Sequence, residues 1–399
     1  MSPKSLLLSS AALLAAATGA RAADAVVVAE PEPVEYVRVC DAFGEGFFYI
    51  PGTETCLHIS GYVRYRVGAT NDDGLILDAD GNVIGGDTPN FNGFAGGGWN
   101  KQTRTRLNID TRSETEWGTL QAFIRLQANW GQADERQNPF NDGPVAIDQG
   151  WLQLGGLRMG YTNSAYAETI FGVTNGGSFS DGALWYSDQE RHLIQYNFGG
   201  ETGLFGVISL EDDALAGDGY VPDVVGVLGY QSGWGAVWAR AGYDNARGNL
   251  PDSDDELLGL DGELAESGFG AQLAAQINIP NTNTSFRIMG WYADSDNAYS
   301  TFSSYGGISG GFGAAEWSAL AAVNQQFTQK FSASTGFQYF SDFYQAFSDE
   351  TTGLDGYSID LSLVYEPVTN FEIRAEGNYD KVENFDGSVS GWLWFLRRF

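Results

Sequence analysis

The chain has 399 residues, with 21 Lys and Arg against 51 Asp and Glu, two His, two Cys, 53 Gly, and 25 Phe, 19 Tyr and 11 Trp. So much apolar and aromatic material excludes a disordered chain, and a net charge of −30 repels phosphate, so no nucleic-acid partner is expected. Two His and two Cys leave little from which to build a zinc or thiol enzyme, and a charged fraction of 18% is low against the roughly 25% of globular chains.

Residues 1–22 read as an export signal. Lys4 gives the positive start, Leu6 to Ala17 a short apolar run, and Ala20-Arg21-Ala22 a small-x-small cleavage site. The run is too short to span a bilayer as a helix. Its removal takes two basic residues and no acid, leaving the remainder still more negative. Downstream, the longest uncharged stretch, Val224 to Ala239, is broken by four glycines and reads as two strands around a Gln231-Ser232-Gly233 turn. Residues 23–56 form a Glu- and Pro-rich lead-in ending in Cys40 and Cys56, which in an exported chain are most simply a disulfide. A metal or redox pair is the alternative, without the usual C-x-x-C spacing to support it.

From Leu57 onward, period-two alternation takes over. Leu57, Ile59, Val63 and Tyr65 share one face, and His58, Ser60, Tyr62, Arg64 and Arg66 the other. Leu107 and Ile109 oppose Arg104 and Arg106; Leu120, Ile124 and Leu126 oppose Gln121, Arg125 and Gln127. Near the C-terminus Ile359 and Leu361 oppose Ser358 and Asp360, then Phe371 and Ile373 oppose Glu372 and Arg374. Such segments predict strands at 57–67, 102–112, 117–130, 145–155, 157–162, 191–199, 203–212, 223–231, 234–244, 267–279, 284–295, 314–327, 330–343, 356–368, 371–382 and 388–399. They fill 57–399 at ~21 residues per strand and connection, the pitch of a membrane barrel with alternating tight turns and long loops. The long connections, such as Gly68–Lys101 and Asn245–Glu266, are rich in Gly, Asp and Asn.

Alternation alone also fits a soluble β-sandwich. The strongly ionic character of one face favours an all-β, sixteen-stranded antiparallel transmembrane barrel, in which apolar faces meet lipid and polar faces line water. Turned inside out, five arginines would sit in hydrocarbon at ~2–4 kcal/mol each near mid-bilayer. Aromatics gather near strand ends (Tyr65, Tyr161, Tyr196, Tyr230, Tyr243, Tyr292, Tyr339, Tyr365, Phe371, Tyr379), where an interfacial girdle would lie.

The block from Glu30 to Asp41 (EPEPVEYVRVCD), Phe48 to Leu57 (FYIPGTETCL) and Ile59 to Tyr65 (ISGYVRY) resembles the alphaproteobacterial general porins, as do Asp148 to Leu154 (DQGWLQL) and Leu157 to Tyr161 (LRMGY). Phe399 as last residue resembles the assembly signal of outer-membrane barrels. The resemblance covers essentially the whole chain after the export signal. It implies an outer-membrane homotrimer, a passive water-filled channel for small hydrophilic solutes and ions, with no cofactor and no catalysis. One departure is His58, where the family pattern suggests Arg. The alternative is a substrate-selective monomeric barrel.

A sixteen-stranded barrel holds an aqueous channel, so size selection needs an infolded constriction loop. The resemblance places that loop at Thr162 to Glu190, which carries Glu168, Asp181, Asp188 and Glu190, glycines at 172, 176, 177 and 182, and no basic residue. The expectation is that these acids face Arg64, Arg66, Arg104, Arg106 and Arg125 across the pore. Against it stands the reading that the acids are solvated loop charges and some arginines pair with Asp110 or Glu114. Wall arginines favour anions locally, but the acid excess raises cation concentration at the mouths, and a weak cation preference is expected.

Asp78 to Asn82 resembles the start of a calcium loop, but Pro89 occupies the position that needs Glu, so no metal site is expected. It reads as an acidic outer loop sharing divalent ions with lipopolysaccharide. Gly93 to Gly98 lacks the Gly-Lys-Ser/Thr of a phosphate loop, and His192 has no Ser and acid at triad spacing.

Overall fold

The computed structural model describes residues 38–71, 75–77, 83–86, 98–131, 145–171, 177–181, 189–212, 221–245, 267–301, 312–345 and 348–399. The export signal, most of the lead-in, Asp78 to Asn82, Gly172, Gly176, Gly182 and Asp188 lie outside them. The chain divides between Val39 and Cys40, and the unit Cys40–Phe399 carries the fold.

Its strands are β1 (Cys56–Thr70), β2 (Gly98–Thr115), β3 (Gly118–Trp130), β4 (Ala146–Leu154), β5 (Leu157–Asn163), β6 (Glu190–Phe198), β7 (Gly203–Glu211) and β8 (Asp223–Ser232). There follow β9 (Gly235–Asp244), β10 (Gly268–Ile279), β11 (Thr284–Ala293), β12 (Phe312–Thr328), β13 (Phe331–Gln345), β14 (Gly356–Val368), β15 (Phe371–Val382) and β16 (Ser388–Arg398). Each pairs antiparallel with the next. β16 returns to β1, with Leu393 opposite Val67 and Arg398 opposite Tyr62. The last residue completes the seam: the Phe399 N–H donates to the Gly61 carbonyl and the Gly61 N–H to the Phe399 carbonyl, both at 3.0 Å. A closed barrel leaves no unpaired edge, which is the condition for a sheet to cross lipid.

The sixteen predicted strands all appear. β1 and β2 are longer than their alternation indicated, reaching Thr70 and Gly98, and Leu75–Leu77 pairs with Val83–Gly86 as a hairpin inside the expected loop between them. A two-residue strand, Phe48–Tyr49, pairs with Leu57 and Cys56. The tight turns use residues suited to them. Asn370, between β14 and β15, has φ 64°, a conformation asparagine tolerates better than most side chains.

The distribution of polarity is the reverse of a soluble protein's. Ile124, Ile194, Ile208, Leu228, Leu273, Ile288 and Leu361 are exposed on the outside, while Gln102, Gln195, Ser209, Gln272, Gln338 and Ser358 are buried within. Outer aromatics line up along the sheet: Phe337, Tyr357 and Tyr379, on β13, β14 and β15, follow one another at 6.0 Å between rings, and Tyr292 meets Trp317 at 4.5 Å. The inner wall has two characters. Across β7 to β12 it is largely apolar, with Phe205, Val227, Trp238, Met289, Trp291 and Leu320 buried in one cluster with Tyr166 and Tyr299 of the outer loops. Across β1 to β5 and β14 to β16 it is mostly polar and ionic.

Candidate functional site

The ionic wall is built by the alternation that the sequence shows. Arg64 and Arg66 on β1 project to the same side as Arg104 and Arg106 on β2, and in the ladder Arg64 stands directly opposite Arg104 and Tyr62 opposite Arg106. Arg125 on β3 is opposite Asn108. Each guanidinium is held by neutral or acidic neighbours. Arg64 donates to the Gln102 amide oxygen at 3.2 Å and lies over the Trp394 ring at 5.0 Å. Arg104 donates to Asn129 at 2.6 Å and Arg106 to Gln127 at 2.9 Å.

The acids fall in three places. Asp181 approaches Arg64 at 3.5 Å, and its backbone N–H donates to Glu376 on β15 at 2.9 Å. Glu168 does not join that group; it pairs with Arg158 on β5. Glu190 is the first residue of β6, opposite Asn163. Asp110 pairs with Arg112 at 2.7 Å, so it is not the partner of the five arginines. Two of them pair instead with Asp148 on β4, which lies 3.5 Å from Arg106 and 3.6 Å from Arg125. Sequence reasoning had not singled it out. Arg374 adds a further basic group, with Glu372 at 2.8 Å and Glu376 at 3.2 Å.

The described parts of the segment between β5 and β6, residues 164–171 and 177–181, lie against the inner wall, and two inward arginines hold their backbone. Arg240 donates to the carbonyls of Tyr166 and Glu168 at 2.8 Å and of Ala165 at 3.1 Å. Arg287 donates to those of Gly177 at 2.9 Å and Ser178 at 2.6 Å, and the Ser178 hydroxyl bonds Asp360 on β14. The segment therefore touches β9 and β11 on one side and β14, β15 and β1 on the other. Burial pushes the Tyr166 phenol far above its usual range, so it stays neutral in the apolar cluster. The signal for the two holding arginines is visible in the sequence, since Arg287 is the one charge in β11 and Arg240 shares β9 only with Asp244 at its end.

At the other end, Cys40 and Cys56 form a disulfide with Cα atoms 6.0 Å apart. The loop it closes puts the Phe47 ring 5.0 Å from His58 and 5.1 Å below the Arg112 guanidinium.

The porin subfamily profile matches residues 24–392. The chain belongs to the porin family. Such a porin is a water-filled barrel in the outer membrane through which solutes pass by passive diffusion. Relatives of this porin include Porin Omp2b of Brucella suis biovar 1, 34% identical over 96% of this chain and 93% of the relative. Porin Omp2b of Brucella neotomae is 42% identical over 61% of this chain and 67% of its own. In fold, the porin resembles the outer membrane channel DcaP of Acinetobacter baumannii, with a TM-score of 0.62, 13% identity, and 88% and 99% of the two chains covered. It also resembles an anion-selective porin from Comamonas acidovorans, with a TM-score of 0.54, 12% identity, and 87% and 100% covered.

Proposed function

We propose that small hydrophilic solutes and ions cross this porin through a constriction whose basic side is Arg64, Arg66, Arg104, Arg106 and Arg125 and whose acidic side is led by Asp181, with Asp188 following on the same segment and Glu190 at the start of β6. Glu168 serves the segment's footing through Arg158. The observation that supports this most is the 3.5 Å approach of Asp181 to Arg64, because it brings a loop acid to the basic wall. Opposed charges across a narrow water path set up a transverse field, which orders water and favours polar over apolar solutes. The excess of acids over bases enriches cations at the mouths, and the channel prefers them weakly. The porin works as a channel and not as an enzyme, as a homotrimer among outer-membrane lipid, with acidic outer loops sharing divalent ions with lipopolysaccharide.

Planar-bilayer recording tests the reading. Wild-type protein should give stable, large conductance steps, and Arg104→Ala with Arg106→Ala should change both conductance and reversal potential. Unchanged values in the double variant would remove those two residues from the constriction, and an anion-favouring reversal potential in the wild type would overturn the cation preference. Migration of unboiled protein as a trimer that collapses on heating tests the assembly.

A further inference from the structure

The first part of the loop that follows β11 does not stay at the surface. Ser295 to Thr301, seven consecutive residues, are each no more than 1% exposed, whereas loop residues ordinarily face water. Tyr299 reaches furthest. Its ring lies 5.5 Å from that of Tyr166. Its hydroxyl donates to Asp223 at 2.9 Å and accepts from Arg191 at 3.0 Å, and these two form an ion pair at 2.8 Å. Beside it, the Ala298 N–H donates to Asp244 at 3.1 Å, and the Ala298 carbonyl accepts from Gln189 at 2.8 Å. The loop is thereby tied to β6, β8 and β9, and to both ends of the segment that carries Tyr166 and Gln189.

Space for it is written into the wall. Gly242 on β9 and Gly268 and Gly270 on β10 face inward, and a β-carbon at these positions would overlap the Tyr299 ring, the Asn297 side chain and the Tyr299 carbonyl respectively. Other inward positions nearby carry full side chains, such as Trp238, Arg240 and Gln272. The three glycines thus form a groove shaped to this segment. What it covers stays dry: Arg191, inside the knot, keeps 1% of its side chain exposed. On the opposite wall Arg106, Arg112 and Arg125 keep 21–31%.

We infer that residues 294–301 are a second inward-folded constriction element, anchored against the lumenal wall by Tyr299, which Asp223 and Arg191 fix in place. The inference rests on the constriction reading above for where solutes pass. The segment seals the β8–β10 side of the lumen and confines water to the arginine wall. Asp223, Arg191 and Tyr299 are positioning residues: Tyr299 and its neighbour Tyr166 are both fully buried, so Tyr299 acts on the pore by holding the segment in place and not by lining water.

The test compares wild-type, Tyr299→Ala and Tyr299→Phe protein in planar bilayers with potassium chloride and neutral polyethylene glycols of graded size. Tyr299→Ala should release the segment from the wall, shift single-channel conductance and change the size of glycol admitted. Tyr299→Phe keeps the ring and loses both hydroxyl bonds, so it should keep the mean conductance and add current fluctuations. A folded Tyr299→Ala protein with wild-type conductance and glycol cutoff, even with a lowered melting temperature, would overturn the inference. If Tyr299→Ala does not fold, a Tyr299→Phe channel as quiet as wild type overturns it. Absence of conductance in the wild type would instead sink the channel reading itself.

Discussion

Arg64 and Arg104 are direct neighbours across the β1–β2 ladder, and among the described residues a loop acid, Asp181, reaches Arg64 at 3.5 Å. Like charges placed opposite in a sheet repel. Here the repulsion is eased by the Asp181 carboxylate and by the Gln102 and Asn129 amide oxygens. Asp181→Asn removes the charge and keeps the shape, leaving the arginines less compensated at the narrow point. The reversal potential should move towards anions, by roughly twofold in permeability ratio, because a half-exposed acid is screened by salt. Movement towards cations would contradict the arrangement.

Arg240 and Arg125 are both lumenal arginines, but their removal should differ in kind. Arg240 is 2% exposed and satisfies three carbonyls of the segment between β5 and β6. Arg240→Ala strands those carbonyls at a cost of about 1–3 kcal/mol for each left unsatisfied. Melting temperature should fall, and the current should become noisy as the segment loosens. Arg125 is partly exposed beside Asp148, where an ion pair contributes about 0–1 kcal/mol. Arg125→Ala should alter selectivity while leaving the melting temperature nearly unchanged. Equal destabilisation by the two variants would contradict this division.

The disulfide at the lower mouth closes a loop with a sequence separation of 16, a length for which the cross-link contributes about 3 kcal/mol. That stabilisation acts on the loop more than on the barrel, because the ladders between β1 and β16 do not depend on it. Cys40→Ser with Cys56→Ser should leave β-structure and heat stability of the barrel intact. It should free Phe47 from His58 and Arg112, and open residues 41–55 to protease. Protection equal to wild type in limited proteolysis would show that the packing holds the loop without the bond.

The barrel was legible because side chains in a strand alternate without exception until a bulge intervenes. That regularity placed Arg64, Arg66, Arg104, Arg106 and Arg125 on one face. Asp148 escaped because the register slips between Arg125 and Leu126, so that Gln149 and Ile147 face consecutive residues and Asp148 is the extra one. Strict alternation through Gln149 and Trp151 would have sent it outward. Glu168 was grouped with Asp181 by chain position alone, yet the two meet different walls. Tyr299 carries no sequence period at all. Its only trace is the glycine at 242, 268 and 270, which reads as ordinary strand glycine until something is seen to fill the space.

The assignment of faces itself can be tested at Leu228. It lies in the middle of β8, opposite Gly206 and Ala239, and is 54% exposed on the outer surface. On a soluble protein an arginine there would be nearly neutral, since surface substitutions usually stay within about 0.5 kcal/mol. Facing the middle of a bilayer, Leu228→Arg should cost ~2–4 kcal/mol. Denaturant titration of folding into lipid vesicles reads this directly, and the penalty should shrink for Leu204→Arg, at the strand end, where the interface lies near. The neighbouring inward position offers the contrast: Val227→Arg must displace a buried side chain from the lumenal cluster, so its cost should persist in detergent as well as in lipid. A Leu228→Arg protein as stable in vesicles as wild type would mean that β8 does not face lipid.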